Sequence, residues 1–139
     1  MDNTRFIREI LAQPAALRDA ASFYTTPAGR GFLGIAADIL RERGRIIFTG
    51  MGTSLHAPYL VLRELMSISP VVVVRDAGEL LHFGLDGIRP GDSLVAVSQS
   101  GESAETRAVV AELESRIPIV TVVNDTESFM ARHANMILP

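Results

Sequence analysis

Three serines surround one glycine at a point where an apolar segment gives way to a helical pattern. Ser98 ends a strand predicted over 93–98, and the residues Ser100-Gly101-Glu102-Ser103 open a helix predicted over 102–115. A helix N-cap explains one serine, and an acidic residue suits the first turn of a helix, but neither explains three hydroxyls. Hydroxyls, backbone N–H groups and a helix N-terminus together can hold a phosphate monoester without a cationic side chain. The Gln99 amide, which both donates and accepts, would suit sugar hydroxyls. We therefore interpret this segment as a ligand site.

A second loop of unusual composition follows the first predicted strand, in the sequence TGMGTS over residues 49–54. Gly50 and Gly52 permit close backbone approach, and Thr53 and Ser54 stand at the start of the next predicted helix. The segment lacks the third glycine of a dinucleotide-binding fingerprint and the lysine of a P-loop. Turn glycines followed by an ordinary N-cap explain this loop equally well when it is taken alone.

The composition describes one globular domain and excludes several kinds of chemistry. The 139 residues are 47% hydrophobic and 21% charged. The formal net charge of −3 does not indicate binding to nucleic acid or to an anionic membrane surface. There is no cysteine, and the three histidines are scattered, so we expect neither a metal site nor a cofactor. The charged N-terminus is not a secretory signal, and no apolar run approaches the length of a membrane span. We expect a cytoplasmic protein.

The elements that must position the two loops alternate between strand and helix. A first helix is predicted over 4–24, with a kink or break at Pro14, and a second ends before Gly44. Apolar segments predict strands, which are 45–50, 71–74, 93–98, 117–123 and a fifth that begins at 135. Helices are predicted over 54–66, over 102–115 and, capped by Asp125 or Thr126, before the fifth strand. This alternation predicts right-handed crossovers and a three-layer αβα sandwich around a five-stranded parallel sheet. In such sheets ligands bind beyond the carboxyl ends of the strands, where both loops fall.

Three of these segments, in this order, resemble a known family. GMGTS after the first strand, SQSGES after the third and VVNDTESFMARHAN after the fourth are similar to the sugar isomerase (SIS) domain, whose fold is flavodoxin-like. The N-terminal EILAQPAALRDA resembles, more narrowly, the start of the isomerase half of glucosamine-6-phosphate synthase and related phosphosugar isomerases. The resemblance implies an N-terminal helical segment over 1–26 and a single SIS module over 27–139. It also implies that six residues hold a hexose 6-phosphate, namely Thr53, Ser54, Ser98, Gln99, Ser100 and Ser103.

The resemblance leaves the catalytic residues unassigned. Family enzymes carry two SIS modules, and their acid/base glutamate and lysine lie in the segment after the fifth strand and beyond. We therefore expect a sugar-phosphate-binding part of an isomerase or a glutamine–fructose-6-phosphate aminotransferase-like enzyme that lacks the catalytic half. A non-catalytic sensing module is the alternative, and nucleotide binding is disfavoured. A homodimer is expected because SIS modules pair with one another and the first helix carries an apolar stripe. Among other candidates, Glu79 and His56 lie near the site, whereas Arg107 is expected to be a solvated residue.

Overall fold

The computed structural model describes residues 5–41, 44–68 and 71–139. The chain divides into two compact units, one reaching to Gly34 and the other comprising Ile35–Pro139. None of the helices in the described ranges combines the length and the apolar character that a membrane crossing requires.

The N-terminal unit is helical. Helix α1 comprises Arg5–Thr25 and continues through Pro14, so the predicted possibility of a break is wrong. A proline removes one backbone N–H from the hydrogen-bond ladder, and here the remaining turns hold the helix together. Helix α2 comprises Pro27–Arg41, and its start is capped because Gly29 N donates to Thr26 Oγ1 over 3.1 Å. The predicted Gly44 cap follows residues 42 and 43, which lie outside the described residues.

The second unit is built on a five-stranded sheet in which every pair is parallel, as predicted. The strands are β1 (Ile46–Gly50), β2 (Val72–Asp76), β3 (Ser93–Val97), β4 (Ile119–Val122) and β5 (Met136–Leu138). Their spatial order is β2-β1-β3-β4-β5. From β1 the chain first builds outward to β2 and then returns to place β3 on the other side of β1. The switch point in strand order therefore lies between β1 and β3.

Apolar side chains cover both faces of this sheet, which gives three layers. On one face Ile47, Leu94 and Ile119 pack with Leu113 and Met130 from the connecting helices. On the other face the alternate strand residues pack against the end of α2, and this set comprises Ile46, Phe48, Val95, Val120, Ala36, Ile39 and Leu40. The strands are mostly apolar because a parallel sheet covered by helices buries both of its faces.

The helical connections depart from the prediction in the segment after β1. The predicted helix over 54–66 is divided into α3 (Thr53–His56), a 3₁₀ turn (Ala57–Leu60) and α4 (Leu62–Ile68), because Pro58 cannot supply a helical N–H. After β2 the chain forms α5 (Ala77–Glu79), which continues as π and 3₁₀ turns over Leu80–Gly84 and Leu85–Gly87.

The last two helices are α6 (Ala104–Leu113) and α7 (Phe129–Arg132). The predicted caps of α7, Asp125 or Thr126, are wrong. Ser128 is the N-cap, and its Oγ accepts a hydrogen bond from Ala131 N over 3.3 Å. Asp125 instead closes a turn by accepting from Glu127 N. An Asx turn and a helix cap use the same kind of side-chain oxygen, so a local pattern does not separate them.

An ion pair joins the amino ends of the two central strands. Arg45 precedes β1 and Asp92 precedes β3, and the guanidinium binds the carboxylate with Nε at 2.9 Å and Nη2 at 2.5 Å. Asp92 also accepts from Arg89 N over 2.8 Å. The Asp92 side chain is buried and that of Arg45 is one-third exposed. The hydrogen bonds from Arg45 outweigh the desolvation of Asp92, so the pKa of this carboxyl lies below its usual value.

Candidate functional site

The two unusual loops leave the sheet side by side at its carboxyl edge. Gly50 at the end of β1 is paired in register with Val97 at the end of β3, so residues 49–54 and residues 98–103 begin on adjacent strands. Between them lies a cavity of about 330 Å³. Its lining comprises Thr53, Ser54, Ala57, Val97, Ser98, Gln99, Val122 and Asn124. The cavity therefore occupies the switch point, where the topology of an open parallel sheet leaves room for a ligand.

The structure brings four of the six predicted site residues to this cavity. Thr53 and Ser54 come from the first turn of α3, and Ser98 and Gln99 come from the segment after β3. Ser100 and Ser103 do not line the cavity. They lie in the segment of residues 98–103, which we call the serine loop.

The hydroxyls of the serine loop also hold the loop in shape. Ser98 is buried, and its Oγ accepts from Gly101 N and lies 3.2 Å from Ser103 Oγ. Ser100 Oγ accepts from Glu102 N, likewise over 3.2 Å. A hydroxyl carries one donor and two lone pairs, so each of these serines retains hydrogen-bonding capacity for a ligand.

The N-terminus of α6 carries no side-chain cap. Ser103 occupies the N-cap position with φ −60° and ψ 126°, yet its side chain makes no capping hydrogen bond. Capping therefore does not account for this serine. The first backbone N–H groups of a ten-residue helix consequently point beyond the carboxyl edge of the sheet without a side-chain acceptor, which is an arrangement suited to an anion.

Glycines at two positions make these loop shapes possible. Gly52 and Gly101 adopt φ values of 54° and 67°, a region that other residues seldom occupy, and each belongs to one of the two loops. At Gly101 there is also no room for a side chain, because a Cβ would overlap Ser128 Oγ. The serine loop is thus pressed against the segment that precedes α7.

Sequence reasoning missed Asn124. This residue follows β4, lines the cavity and donates from its backbone N–H to Gln99 O over 3.1 Å. The sequence signal for Asn124 is the same as for the other two loops, because in each case a polar residue directly follows an apolar strand. Asn124 adds an amide to the cavity, which can both donate and accept.

Among the residues that the structure describes, none with a charged side chain lines the cavity. Arg107 lies on the surface of α6 with its side chain 43% exposed, as expected of a solvated arginine, and it also has partners outside the cavity. Its Nη1 lies 3.0 Å from Glu102 Oε2, and its guanidinium carbon lies 4.6 Å from the centre of the Phe129 ring. The groups offered to a ligand are therefore hydroxyls, amides and backbone N–H groups. Among the described residues no cluster of acidic or histidine side chains is arranged to hold a metal.

A larger cavity of about 460 Å³ lies under the helical turns that follow β2. Its lining includes Arg45, Val73, Arg75, Glu79 and Phe83, and none of the six predicted site residues. Glu79 therefore lines the larger cavity and not the smaller one. We take the smaller cavity as the candidate site, because hydroxyls and amides from both loops line it, and volume alone supplies neither.

Comparison with known proteins identifies the family of the chain. A model of the family described as "SIS domain" matches residues 39–139. The chain is 34% identical over 131 residues to a glutamine–fructose-6-phosphate aminotransferase (isomerizing) from Pyrococcus horikoshii. The match covers 93% of the chain and 21% of the relative, so the chain spans about a fifth of that protein's length.

Solved structures share the fold. The NanR protein of Vibrio vulnificus, solved in complex with ManNAc-6P, is similar with a TM-score of 0.76 at 24% identity, over 98% of this chain and 51% of that one. The sugar isomerase domain of an RpiR transcription factor from Sphaerobacter thermophilus is similar with a TM-score of 0.74 at 22% identity, over 96% and 74% of the two chains. With the family model matched over its sheet and both loops, this chain belongs to the SIS domain family.

Proposed function

We propose that this chain is a phosphosugar-binding SIS module and that the cavity between its two loops takes a hexose 6-phosphate. One observation carries the proposal. Polar groups from both loops line one cavity, and one of these loops, the serine loop, leads directly into the uncapped N-terminus of α6. The relatives add support, because one is a glutamine–fructose-6-phosphate aminotransferase and another was solved with a sugar 6-phosphate.

The arrangement suggests which groups of the site bind the phosphate and which bind the sugar hydroxyls. We assign the phosphate to Ser98, Ser100, Ser103 and the first N–H groups of α6, where the helix dipole favours negative charge. We assign the sugar hydroxyls to Gln99, Thr53 and Ser54, with Asn124 as a further contact. Fixed donors of this kind bind a phosphate dianion without a countercharge because each hydrogen bond to a charged group is stronger than a neutral one.

For the whole protein we propose an isomerase or aminotransferase-like enzyme in which residues 27–139 form the sugar-phosphate-binding module and residues 1–26 a separate helical segment. Moving a proton between two sugar carbons requires a placed acid/base group, which a phosphate site alone does not supply. The sequence contains no lysine. We therefore expect these 139 residues to bind and orient the sugar phosphate without isomerising it.

Calorimetric titration tests the binding. We expect fructose 6-phosphate or glucose 6-phosphate to bind, whereas free fructose and glucose should not. Changing Ser100→Ala together with Ser103→Ala should weaken binding by about 1.5–3 kcal/mol for each lost hydroxyl contact to the charged phosphate.

Ser67→Ala provides the matched control, because that exposed serine donates to Glu64 O in α4, away from the site. Its affinity should equal that of the unmodified chain. Equal affinity for phosphorylated and free sugars would show that the phosphate is not recognised, and this result would overturn the proposal.

A sensing module that binds a sugar phosphate without chemistry is the second candidate. The similarity of the fold to the sugar isomerase domain of a transcription factor favours it. An assay of fructose 6-phosphate and glucose 6-phosphate interconversion separates the two. Turnover that disappears when Ser98 is changed to alanine would identify an enzyme and a catalytic base within these residues.

A further inference from the structure

Glu102 in the serine loop makes two specific contacts although it lies at the surface. Its Oε1 accepts a hydrogen bond from Phe129 N over 2.6 Å, and its Oε2 lies 3.0 Å from Arg107 Nη1. Phe129 is the first residue of α7 and lies 27 positions further along the chain. One carboxylate therefore joins the serine loop to the segment that follows the neighbouring strand.

Arg107 and Phe129 complete a small cluster around this carboxylate. The Arg107 guanidinium packs over the Phe129 ring, 4.6 Å from its centre, and the same ring stacks on His133 with centroids 4.0 Å apart at an angle of 16°. We call Glu102, Arg107 and Phe129 the Glu102 clasp. Its members lie outside the cavity lining and are not among the residues predicted to bind the ligand.

The backbone reinforces the same junction. Met130 N donates to Gly101 O over 3.3 Å, and Asn124 N donates to Gln99 O over 3.1 Å. The serine loop is thus fastened to the chain after β4 at three places, namely Gln99, Gly101 and Glu102. Of these three, only the bond at Glu102 comes from a side chain of the loop, so it is the one that a substitution can remove.

The position of this carboxylate calls for an explanation. A negative charge near the first turn of α6 stabilises the helix, but it repels a phosphate bound at the same helix end. A glutamate there should weaken the proposed function unless it contributes something that outweighs the repulsion. The ion pair with Arg107 offsets part of the charge, and the bond to Phe129 fixes the loop.

We propose that Glu102 is a positioning residue for the phosphate site, which holds the serine loop in the shape that directs its hydroxyls and the α6 N–H groups at the ligand. The proposal rests on the proposed function. It predicts the direction in which the affinity for the phosphosugar changes, and this direction distinguishes a positioning role from an effect of charge alone. Removing the carboxylate should weaken phosphosugar binding if it positions the loop, and strengthen binding if it acts only through its charge.

The test compares three variants by calorimetric titration with fructose 6-phosphate. Glu102→Ala should weaken binding about tenfold, since it loses a hydrogen bond that involves a charged group. Glu102→Gln keeps an oxygen that can accept from Phe129 N, so it should restore most of the affinity. Glu105→Ala removes an equal charge from the first turn of α6 and should leave the affinity unchanged or slightly raised.

Thermal unfolding of each variant shows whether the change is confined to the site, and we expect similar melting temperatures. Should Glu102→Ala fail to fold, Arg107→Ala tests the same clasp, because it removes the ion pair and the ring contact, and it should weaken binding about threefold. An unmodified chain that binds no hexose 6-phosphate would overturn the proposed function and this role with it. A chain that binds normally, next to a folded Glu102→Ala variant with equal or higher affinity, would overturn the positioning role alone.

Discussion

Gly101 shows how a single residue can fix the shape of the serine loop. Its φ of 67° is strained for any other residue, and a Cβ there would overlap Ser128 Oγ. The backbone of the loop at Gly101 therefore packs directly against the side chain of Ser128, the N-cap of α7. We expect this contact to be sensitive to one added carbon atom.

Gly101→Ala should lower the free energy of unfolding by about 2–3 kcal/mol, because the alanine is strained and displaces Ser128. Chemical denaturation measures this. Gly31→Ala is the matched control, because that glycine lies in α2 with open space around its Cβ position, and alanine should stabilise the helix by up to about 1 kcal/mol. Equal effects of the two substitutions would contradict the account of the loop.

Single residues were also where sequence reasoning succeeded and failed most clearly. The three serines and the two loop glycines stood out because their types are unusual at a strand-to-helix junction. The contact between Arg107 and the Phe129 ring was not predictable, because Phe129 lies 22 positions further along the chain. Asn124 was overlooked because one polar residue after a strand is common, and only its meeting with Gln99 gives it significance.

At the scale of elements, the strands were predictable and their connections were less so. Five apolar segments identified all five strands, because parallel strands buried on both faces need no alternation. The single helix predicted over 54–66 failed at Pro58, whose missing N–H divides the segment into shorter pieces. The order of the strands depends on pairing between distant segments, and local patterns specify only that the sheet is parallel.

The Arg45–Asp92 ion pair contributes to the pairing of β1 with β3 in a pH-dependent way. Arg45 lowers the pKa of Asp92, so the pair stabilises the folded chain fully above the pKa of an unfolded aspartate, about 3.9. This contribution is lost as the pH falls through the lowered pKa of the folded state. Asp92→Asn should cost about 1–2 kcal/mol at pH 7, a value reduced by the partial exposure of Arg45.

Chemical denaturation of the unmodified chain and of Asp92→Asn at a series of pH values measures this contribution. The difference between the unmodified chain and Asp92→Asn should be constant from pH 7 to about pH 5 and shrink below about pH 4. Asp86→Asn, at an exposed aspartate in the 3₁₀ turn over Leu85–Gly87, should show no comparable difference. A difference that stays constant down to pH 3 would mean that the carboxylate charge is not what stabilises the strand pair.

At the scale of the whole molecule, the exposed apolar residues of α1 lead us to expect self-association. Phe6, Leu11 and Leu17 are 69% to 72% exposed, and Ile7 and Ile10 lie at the same helical spacing. A stripe of this kind usually marks an interface, and a second copy would cover it through a two-fold contact.

Light scattering at tens of micromolar tests this, and we expect a dimer that Ile10→Ser with Leu11→Ser converts to a monomer. Leu60→Ser, at a leucine outside α1 that is even more exposed, should leave the dimer intact. A monomeric unmodified chain at that concentration would refute the association.

The amino ends and the carboxyl ends of β1 and β3 have different functions. The Arg45–Asp92 pair fastens their amino ends, whereas the loops of the candidate site leave from their carboxyl ends, about 15 Å away along five-residue strands. The ion pair that joins these two strands is therefore distant from the residues proposed to bind the ligand, so substitutions in the loops need not weaken it. Loops transplanted from a relative with another sugar preference should leave the Arg45–Asp92 pair intact.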